Sequence, residues 1–566
     1  MAELVLGPLL RHVGATDATV WVETSAPCTV HVLGSSERTW TVAGHHYALV
    51  SIDGLEPGSV TPYEVRLDDR DVWPPPGDDA SLIRTLTDGD RFVLAFGSCR
   101  VATTPDEDSA GALGTDALVA YAQRMRAHSP EAWPDALLLL GDQVYADELS
   151  PEMRRRVGER HDLTEAPGAQ VRNFEEYTWL YAQAWSERNV RWLLSTVPTS
   201  MIFDDHDVHD DWNTSYSWRS EVEASPWWEE RIVGAMMSYW IYQHLGNLSP
   251  GELAEDSLYD RVRHCAGDAE PILRIFASDA DEEADGGRGA RWSYRRDFGP
   301  VRMLVIDSRC GRLLTEDRRD MVSDPEFDWI EDQTQGDYDH LLIGTSLPWL
   351  LPRTMHDLEA WDEQLAAGAR GERFASWAET LRRAADLEHW SAFGTSFERL
   401  ARLLAEVGSG RRTGPSGVVP ATVCVLSGDV HHAYAARARF RVPVRAAIYQ
   451  LTCSPLHNHV PAAIRTAFRF AWSRAAERSV RALLGRVAAV PKTSFSWSRV
   501  AGPTFGNQIA TLRTEGRAAH LTIEKTVNGR GPQLFETVAD LTLSSDDRSQ
   551  DARSRSSEDS PTRPRA

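Results

Sequence analysis

The pattern of apolar and polar positions changes near residue 90. Between residues 3 and 88 the apolar positions alternate with polar ones in short runs, ATVWVET, TVHVLG, HYALVSIDGLEPGS and TPYEVRLDD, separated by Gly, Pro, Ser and Asp. Alternation with a period of two predicts short strands, and several of them at regular spacing predict a β-sandwich. The stretch DVWPPPGDDAS at 71–81 reads as a Pro-rich linker. A first domain is therefore expected over residues 1–88.

From Arg91 the apolar runs become longer and end abruptly: RFVLAFGSCR, DALLLLGDQVYADE, TSMIFDDHDVHDDWN, VRMLVIDSRCGR, DHLLIGTSLPWLLP and ATVCVLSGDVHHAYAA. Each closes in Gly, Ser or an acid. Helical periodicity lies between several of them, around Thr115–His128, Trp227–Leu245 and Phe374–Ala385. Strands alternating with helices predict an α/β core over residues 89–540. GNQIATLRTEG and AAHLTIEKTV predict a closing hairpin. Large apolar residues cease from about Ser544, and 541–566 is read as a disordered tail. The segment Ile464–Val487 is Arg-rich, aromatic and helical in pattern. It suits an ordinary packed helix, a cover for a cleft, or a face for anionic lipid.

Composition narrows the function classes. The 566 residues carry a formal net charge of −23, without the basic footprint that nucleic-acid binding requires. An acidic body needs a local positive centre wherever phosphate binds. The 6 cysteines are widely spaced with no CxxC, so a disulfide scaffold is not expected. The start, MAELVLGPLLRHVG, lacks the charge and apolar pattern of a signal peptide, and no run of about 18 apolar residues is present. Cytoplasmic residence without a membrane span is the expectation.

The candidate chemistry sits at the strand ends. FGSCR offers Cys99. GDQVYAD offers Asp142 and Tyr145, and FDDHDVHDD offers Asp204, Asp205, His206, Asp207, His209, Asp210 and Asp211. IDSRCGR adds Asp307 and Arg309, and SGDVHHAY adds Asp429, His431 and His432. Each alone has an ordinary explanation as a turn, cap, ion pair or solvated face. Together they bring several carboxylates to one end of one sheet, where they would repel and force protonation. A bound cation removes that conflict. Carboxylate with imidazole suits first-row metals, and thiolate or phenolate adds preference for a strong Lewis acid such as ferric iron. A tyrosine with its ordinary pKa of about 10 stays ionised at neutral pH only beside a highly charged cation.

GSCR, GDQVYAD, FDDHDVHDDW, IDSR, GTSLPWL and LSGDVHHAY, in this order, resemble the alkaline phosphatase D (PhoD-like) branch of the calcineurin-like metallophosphoesterases. The resemblance runs from about Phe92 to Val527. It implies a metallophosphoesterase-type β-sandwich core flanked by helices. The first ninety residues or so resemble the immunoglobulin- or fibronectin-like β-sandwich that precedes that core. It also implies a binuclear centre of Fe3+ with Ca2+, other divalent metals being open, that activates water against a phosphate ester. Carried over residue by residue, Cys99 serves the metal where the wider superfamily has D-x-H. Asp142 bridges the two metals, and Tyr145 binds the ferric ion. Asp205 takes a metal-binding Asn position, His206 the catalytic histidine, and Asp429 and His431 ligand positions. Arg309, or Arg100, would supply a guanidinium to substrate oxygens. Asp210 and Asp211 stand where some family members have asparagines, and the roles of these two and of Asn213 are open. Monoesterase, phosphodiesterase and phospholipase-D-like specificities are all open, as is a non-catalytic metal-binding scaffold.

Overall fold

A computed structural model describes residues 1–87, 89–102, 113–287, 289–315, 317–527 and 534–545. The N-terminal strands form two antiparallel sheets. One contains Leu4–Val13, Asp17–Thr24, His45–Asp53 and Trp40–Val42; the other contains Ser35–Arg38, Thr29–Val32, Val65–Leu67 and Arg70–Trp73. Their inward positions, among them Val20, Val22, Val30, Val50 and Val65, are fully buried against one another. The alternation read from the sequence is thus a one-sided burial pattern.

The 71–81 stretch is not a linker. Its first residues belong to the Arg70–Trp73 strand, and Ser81 opens a strand, Ser81–Arg84, that pairs with Val60–Tyr63. Trp73 and Ile83 are both in the sandwich core, and the Trp73 indole N–H donates to Ser81 Oγ at 2.8 Å. The prolines occupy the turn between, where their missing N–H groups cost no ladder bond.

Two further sheets lie face to face. The six-stranded sheet runs in the order Thr199–Ile202, Ala136–Leu140, Arg91–Gly97, Gln508–Glu515, Ala518–Thr526, Phe535–Ser544. The seven-stranded sheet runs Tyr294–Phe298, Val301–Val305, His340–Gly344, Thr422–Ser427, Ala447–Thr452, Ala433–Phe440, Phe495–Thr504. The first three strands of the former are mutually parallel, as are Val301–Val305, His340–Gly344, Thr422–Ser427 and Ala447–Thr452. The leucine run is explained by this layering. Leu138 and Leu140 face Met303, Leu342 and Leu426 between the sheets, while Leu137 and Leu139 face the helices outside. A strand buried on both faces has no polar side to alternate with. Helices Ala117–Arg126, Phe174–Trp185, Arg188–Thr196 and Trp228–Ser238 cover the first sheet, and Gly394–Ser409 covers the second.

The candidate residues therefore come from the ends of strands in two apposed sheets, not from one sheet as expected. The Gln508–Glu515 and Ala518–Thr526 hairpin is present. Ile464–Val487 is two helices, Ala462–Ala471 and Arg474–Leu484, and Ser473 accepts the Ala476 N–H to cap the second. Strand Phe535–Ser544 enters the stretch read as a tail from 541, and residues 546–566 lie outside the described residues.

The N-terminal sandwich is fastened to the core by buried polar bonds. Arg11, with no exposed surface, donates to the carbonyls of Thr199 (3.0 Å), Tyr242 (2.6 Å) and Gln243 (2.7 Å). Two of these carbonyls lie in the π-helical turn Tyr239–His244. A Cβ at Gly246 would sit 2.2 Å from Arg11 Cζ, so glycine there makes room for the guanidinium. Tyr63 donates its hydroxyl to the Ser195 carbonyl at 2.6 Å.

Candidate metal centre

The backbone aims the side chains before any of them meets a partner. Cys99, Asp142, Asp429 and His431 adopt φ of 58°, 50°, 63° and 50°, a left-handed conformation that is costly without glycine and gathers at functional sites. Each lies just past a strand end, where such a residue turns the chain sharply. Two glycines let the loops close on one another. A Cβ at Gly141 would lie 2.5 Å from Asp204 Cβ, and one at Gly428 would lie 2.0 Å from Ser98 Oγ.

The result is two adjoining donor groups that share Asp142. Ligand atoms of Cys99, Asp142 and His431 lie within 4.8 Å of one another, and so do those of Asp142, Asp204 and Asp205. The Tyr145 hydroxyl is 3.4 Å from Asp142 Oδ2 and accepts the Asn458 amide at 2.9 Å. Asp142 Oδ1 and Asp204 Oδ2 are buried without a hydrogen-bond partner. Unpartnered buried carboxylate oxygens are expensive.

The electrostatics agree. Burial, then the neighbouring Asp204, pushes the Asp142 carboxyl well above the usual carboxylate range. Burial also raises Asp204 well above that range, in spite of Arg309. The Cys99 thiol and Tyr145 phenol are raised well above their ordinary values by burial and then by Asp142. His431 is lowered to about 4 by burial, so it is a neutral imidazole. Neutral imidazole is the form that binds metal. By themselves the Asp142 and Asp204 carboxyls, the thiol and the phenol would keep their protons; cations among them reverse those upward shifts and keep His431 neutral. The donors fit a thiolate- and imidazole-loving ion on one side of Asp142 and an oxygen-loving ion on the other.

Three comparisons with known proteins follow this geometry. Residues 113–268 match the family described as PhoD-like phosphatase. This stretch of the chain is similar to the PhoD-like phosphatases. Residues 1–85 match a domain of unknown function, DUF7800. A solved structure titled "Structure of PhoD" is similar over 96% of this chain and 91% of its own length, at 12% identity and a TM-score of 0.55. That likeness is one of fold. The purple acid phosphatase PPD1 from yellow lupin seeds aligns over 99% of this chain and 77% of its own, at 11% identity and a TM-score of 0.45. No curated protein matches. The matched PhoD-like stretch contains Asp142, Tyr145, Asp205 and His206, while Cys99, Arg309, Asp429 and His431 lie outside it and reach the centre through the fold.

Around the PhoD-like centre, His206 sits partly open, its ring 4.8 Å from that of Tyr145. Its Nδ1 is 3.0 Å from Asp147 Oδ1, and its Nε2 is 3.8 Å from Asp210. Burial opposes charge on this imidazole, but Asp147 outweighs burial and holds the pKa well above the ordinary histidine value. Asp429 adjoins the centre through its backbone, 3.6 Å from Cys99 Sγ. Its carboxylate spans two partners, with Oδ2 3.0 Å from His389 Nε2 and Oδ1 4.0 Å from Arg309 Nη2. Among the described residues Asp204 is the carboxylate that groups with both Asp142 and Asp205, and Asp205 also groups with His206 and Asp210.

Arg309, expected to meet substrate, is fully buried among acids. Its Nε donates to Asp204 at 2.6 Å, its Nη1 donates to Glu388 at 2.6 Å, and its Nη2 is 3.1 Å from Asp205. Arg100 is engaged away from the centre, with Asp116 at 2.8 Å and the Ala184 carbonyl at 2.6 Å. Asp210 is exposed. Asp211 lies against Asp205, donating its N–H at 3.2 Å, and burial followed by Glu388 pushes its carboxyl up to about 9. Asn213 donates to the Arg309 carbonyl at 3.1 Å and accepts from Arg219 at 3.1 Å, which makes it a brace for the Arg309 loop.

Several supporting roles escaped the sequence reading. Asp207 accepts the backbone N–H groups of Asp142, Gln143, Val144 and Asp204 at 3.0, 3.0, 3.1 and 3.0 Å. It clasps the two acid-bearing loops to each other. His389 bridges Asp429 and Glu359, at 3.0 and 2.8 Å. The capping-box arrangement of Asp204 and Asp207 around Asp205 was the available signal for Asp207: an acid three residues after an acid at a helix start. Glu388, His389 and Glu359 carry no motif.

Proposed function

We propose that the PhoD-like domain hydrolyses phosphate esters with a binuclear metal centre. One observation carries this reading: buried, unpartnered oxygens of Asp142 and Asp204 converge with Asp205 beside Cys99 and His431. Cys99, Asp142, Tyr145 and His431 would hold Fe3+, and Asp142, Asp204 and Asp205 would hold Ca2+, with Asp429 at the edge of both. Such a metal pair lowers the pKa of water and polarises the phosphoryl oxygens.

The chain's own residues supply the rest. His206 carries a proton that Asp147 stabilises, and its Nε2 delivers it to the departing oxygen of the ester. Asp147, on Nδ1, fixes the ring's orientation. Asp207 keeps the Asp142 and Asp205 loops in register, and Arg309 partly offsets the crowded carboxylates and positions Asp204 and Asp205. His389, held by Glu359, orients Asp429. Cytoplasmic residence is part of the same proposal, supported by six cysteines that are all unpaired.

The test is Asp142→Asn. Wild-type protein should bind two metal ions per chain by elemental analysis and show a tyrosinate-to-iron absorption band that Tyr145→Phe bleaches or shifts. Asp142→Asn should lose metal and esterase activity together while keeping its fold by circular dichroism. Full activity in a colourless, metal-free protein would sink the proposal.

A further inference from the structure

The helices Ala462–Ala471 and Arg474–Leu484 differ in charge from the body that carries them. The whole chain has 60 basic and 83 acidic residues, yet Ile464–Val487 has six arginines against the single acid Glu477. Among the described residues only Arg481 of the six forms an ion pair, with Asp357 at 2.7 Å. The same surface exposes large apolar side chains: Ile464 at 45%, Phe470 at 61% and Leu483 at 59%. Unpaired arginines beside exposed aliphatic and aromatic groups are the two ingredients of interfacial binding to a charged bilayer.

The helices have already satisfied their own packing. Leu484 and Ala488 are buried with Trp361 and Leu365, and the Trp472 ring meets Tyr434 at 5.0 Å. The exposed apolar face is therefore surplus to the fold. It also adjoins the metal centre. Phe468 packs on the ring of His432 at 4.4 Å, next to the ligand His431, and Asn458, four residues before the first helix, bonds the Tyr145 hydroxyl.

We propose that this helix pair docks the protein on an anionic membrane surface and presents the mouth of the metal centre to the headgroup layer. Charge complementarity selects the occupant. A negatively charged body is repelled by an anionic bilayer while this patch is attracted to it, so docking favours the orientation that turns the patch to the bilayer. A nucleic acid would use the arginines alone and leave Phe470 and Leu483 in water. The proposal does not depend on the hydrolase reading, because binding is measured without turnover.

Flotation of the full-length protein with vesicles tests it. Wild-type protein should float with an equal mixture of phosphatidylglycerol and phosphatidylcholine, release at high salt, and stay behind with phosphatidylcholine alone. Each of Arg474→Ala and Arg478→Ala should weaken partitioning about fivefold. Phe470→Asp with Leu483→Asp should abolish flotation while the melting temperature and hydrolysis of a soluble ester stay at wild-type values. Absence of wild-type flotation overturns the proposal. Equal flotation of a folded Phe470→Asp/Leu483→Asp protein overturns it as well. So does binding to a DNA duplex at the same salt that the arginine variants lose and the apolar variant keeps. Should the apolar variant fail to fold, the two arginine variants decide, since those positions are exposed; unchanged partitioning in both overturns the proposal.

Discussion

Two buried arginines serve opposite purposes. Arg11 joins the N-terminal sandwich to the core and is ringed by carbonyl oxygens, and burial lowers its pKa to about 9 because little negative charge is nearby. Arg309 is just as deeply buried, yet its pKa is driven up: burial is outweighed by Asp205, Glu388 and Asp204. The first cluster is satisfied by neutral acceptors and asks for nothing more. The second keeps unpartnered oxygens on Asp142 and Asp204 even with the guanidinium in place. A polar cluster that is complete is structure; one that remains short of positive charge is a site awaiting cations.

The largest expected effect comes from exchanging each arginine for methionine. Arg309→Met leaves buried carboxylates uncompensated, a change of about 3–5 kcal/mol. Its melting temperature without metal should fall steeply, and added metal should restore part of the loss. Arg11→Met orphans carbonyls at about 1–3 kcal/mol each, and metal should restore none of it. Equal metal response in the two variants, read by thermal melts, would erase the distinction drawn between the clusters.

Next in size is the proton path. His206→Asn should lower kcat about 10²–10⁴-fold with a poor leaving group and less with a nitrophenolate, which departs without a proton. Metal content should stay near wild type. An equal deficit on both substrates would remove His206 from the acid role.

Asp207→Asn comes third. It weakens the clasp on the Asp142 and Asp205 loops and should reduce metal affinity about 10–100-fold, as outer partners of ligands typically do. Metal titration followed by activity measures this. Unchanged affinity would mean that the loops hold their register without the clasp.

The smallest effect belongs to the neutral side of the comparison. His45 lies between Glu23 and Glu175, at 3.0 and 2.9 Å. Burial disfavours its charge, but the two glutamates prevail and raise its pKa to about 9. A pKa raised on folding contributes stability that is complete below about pH 6.5 and is lost as pH rises through about 9. The stability gap between wild type and His45→Gln should therefore be widest in mild acid and close above pH 9. A gap that is flat with pH would show His45 to be neutral throughout.

Much of this architecture was legible because strand-end chemistry is local. Cys99, Asp142, Tyr145, Asp205 and His431 each lie within a few residues of the end of an apolar run, and the family resemblance singled them out. What was illegible depends on the apposition of two sheets. No sequence spacing tells that the Thr422–Ser427 strand lies in a different layer from Ala136–Leu140. Arg309 was misplaced for the same reason, since its partner Glu388 is brought in from a helical region with no repeating signal. Asp429 was read as a ligand through the family resemblance; the hydrogen bond from one of its oxygens to His389, which comes from that same region, was not legible. The proline stretch at 71–81 misled because composition reports backbone restriction, not whether the flanking residues are buried.

The left-handed turns at Cys99, Asp142, Asp429 and His431 also limit how this protein can change over evolutionary time. At Asp142 and Asp429 the backbone accepts Asn or Gly with little strain, so a lineage can drift there while keeping its fold, though at Asp142 the lost charge takes the metals with it. At Cys99 and His431 the replacement that suits the chemistry is seldom the one that suits the turn. New metal preferences are therefore reached most easily through Asp429, and the sulfur and the imidazole form the slow-moving part of the centre.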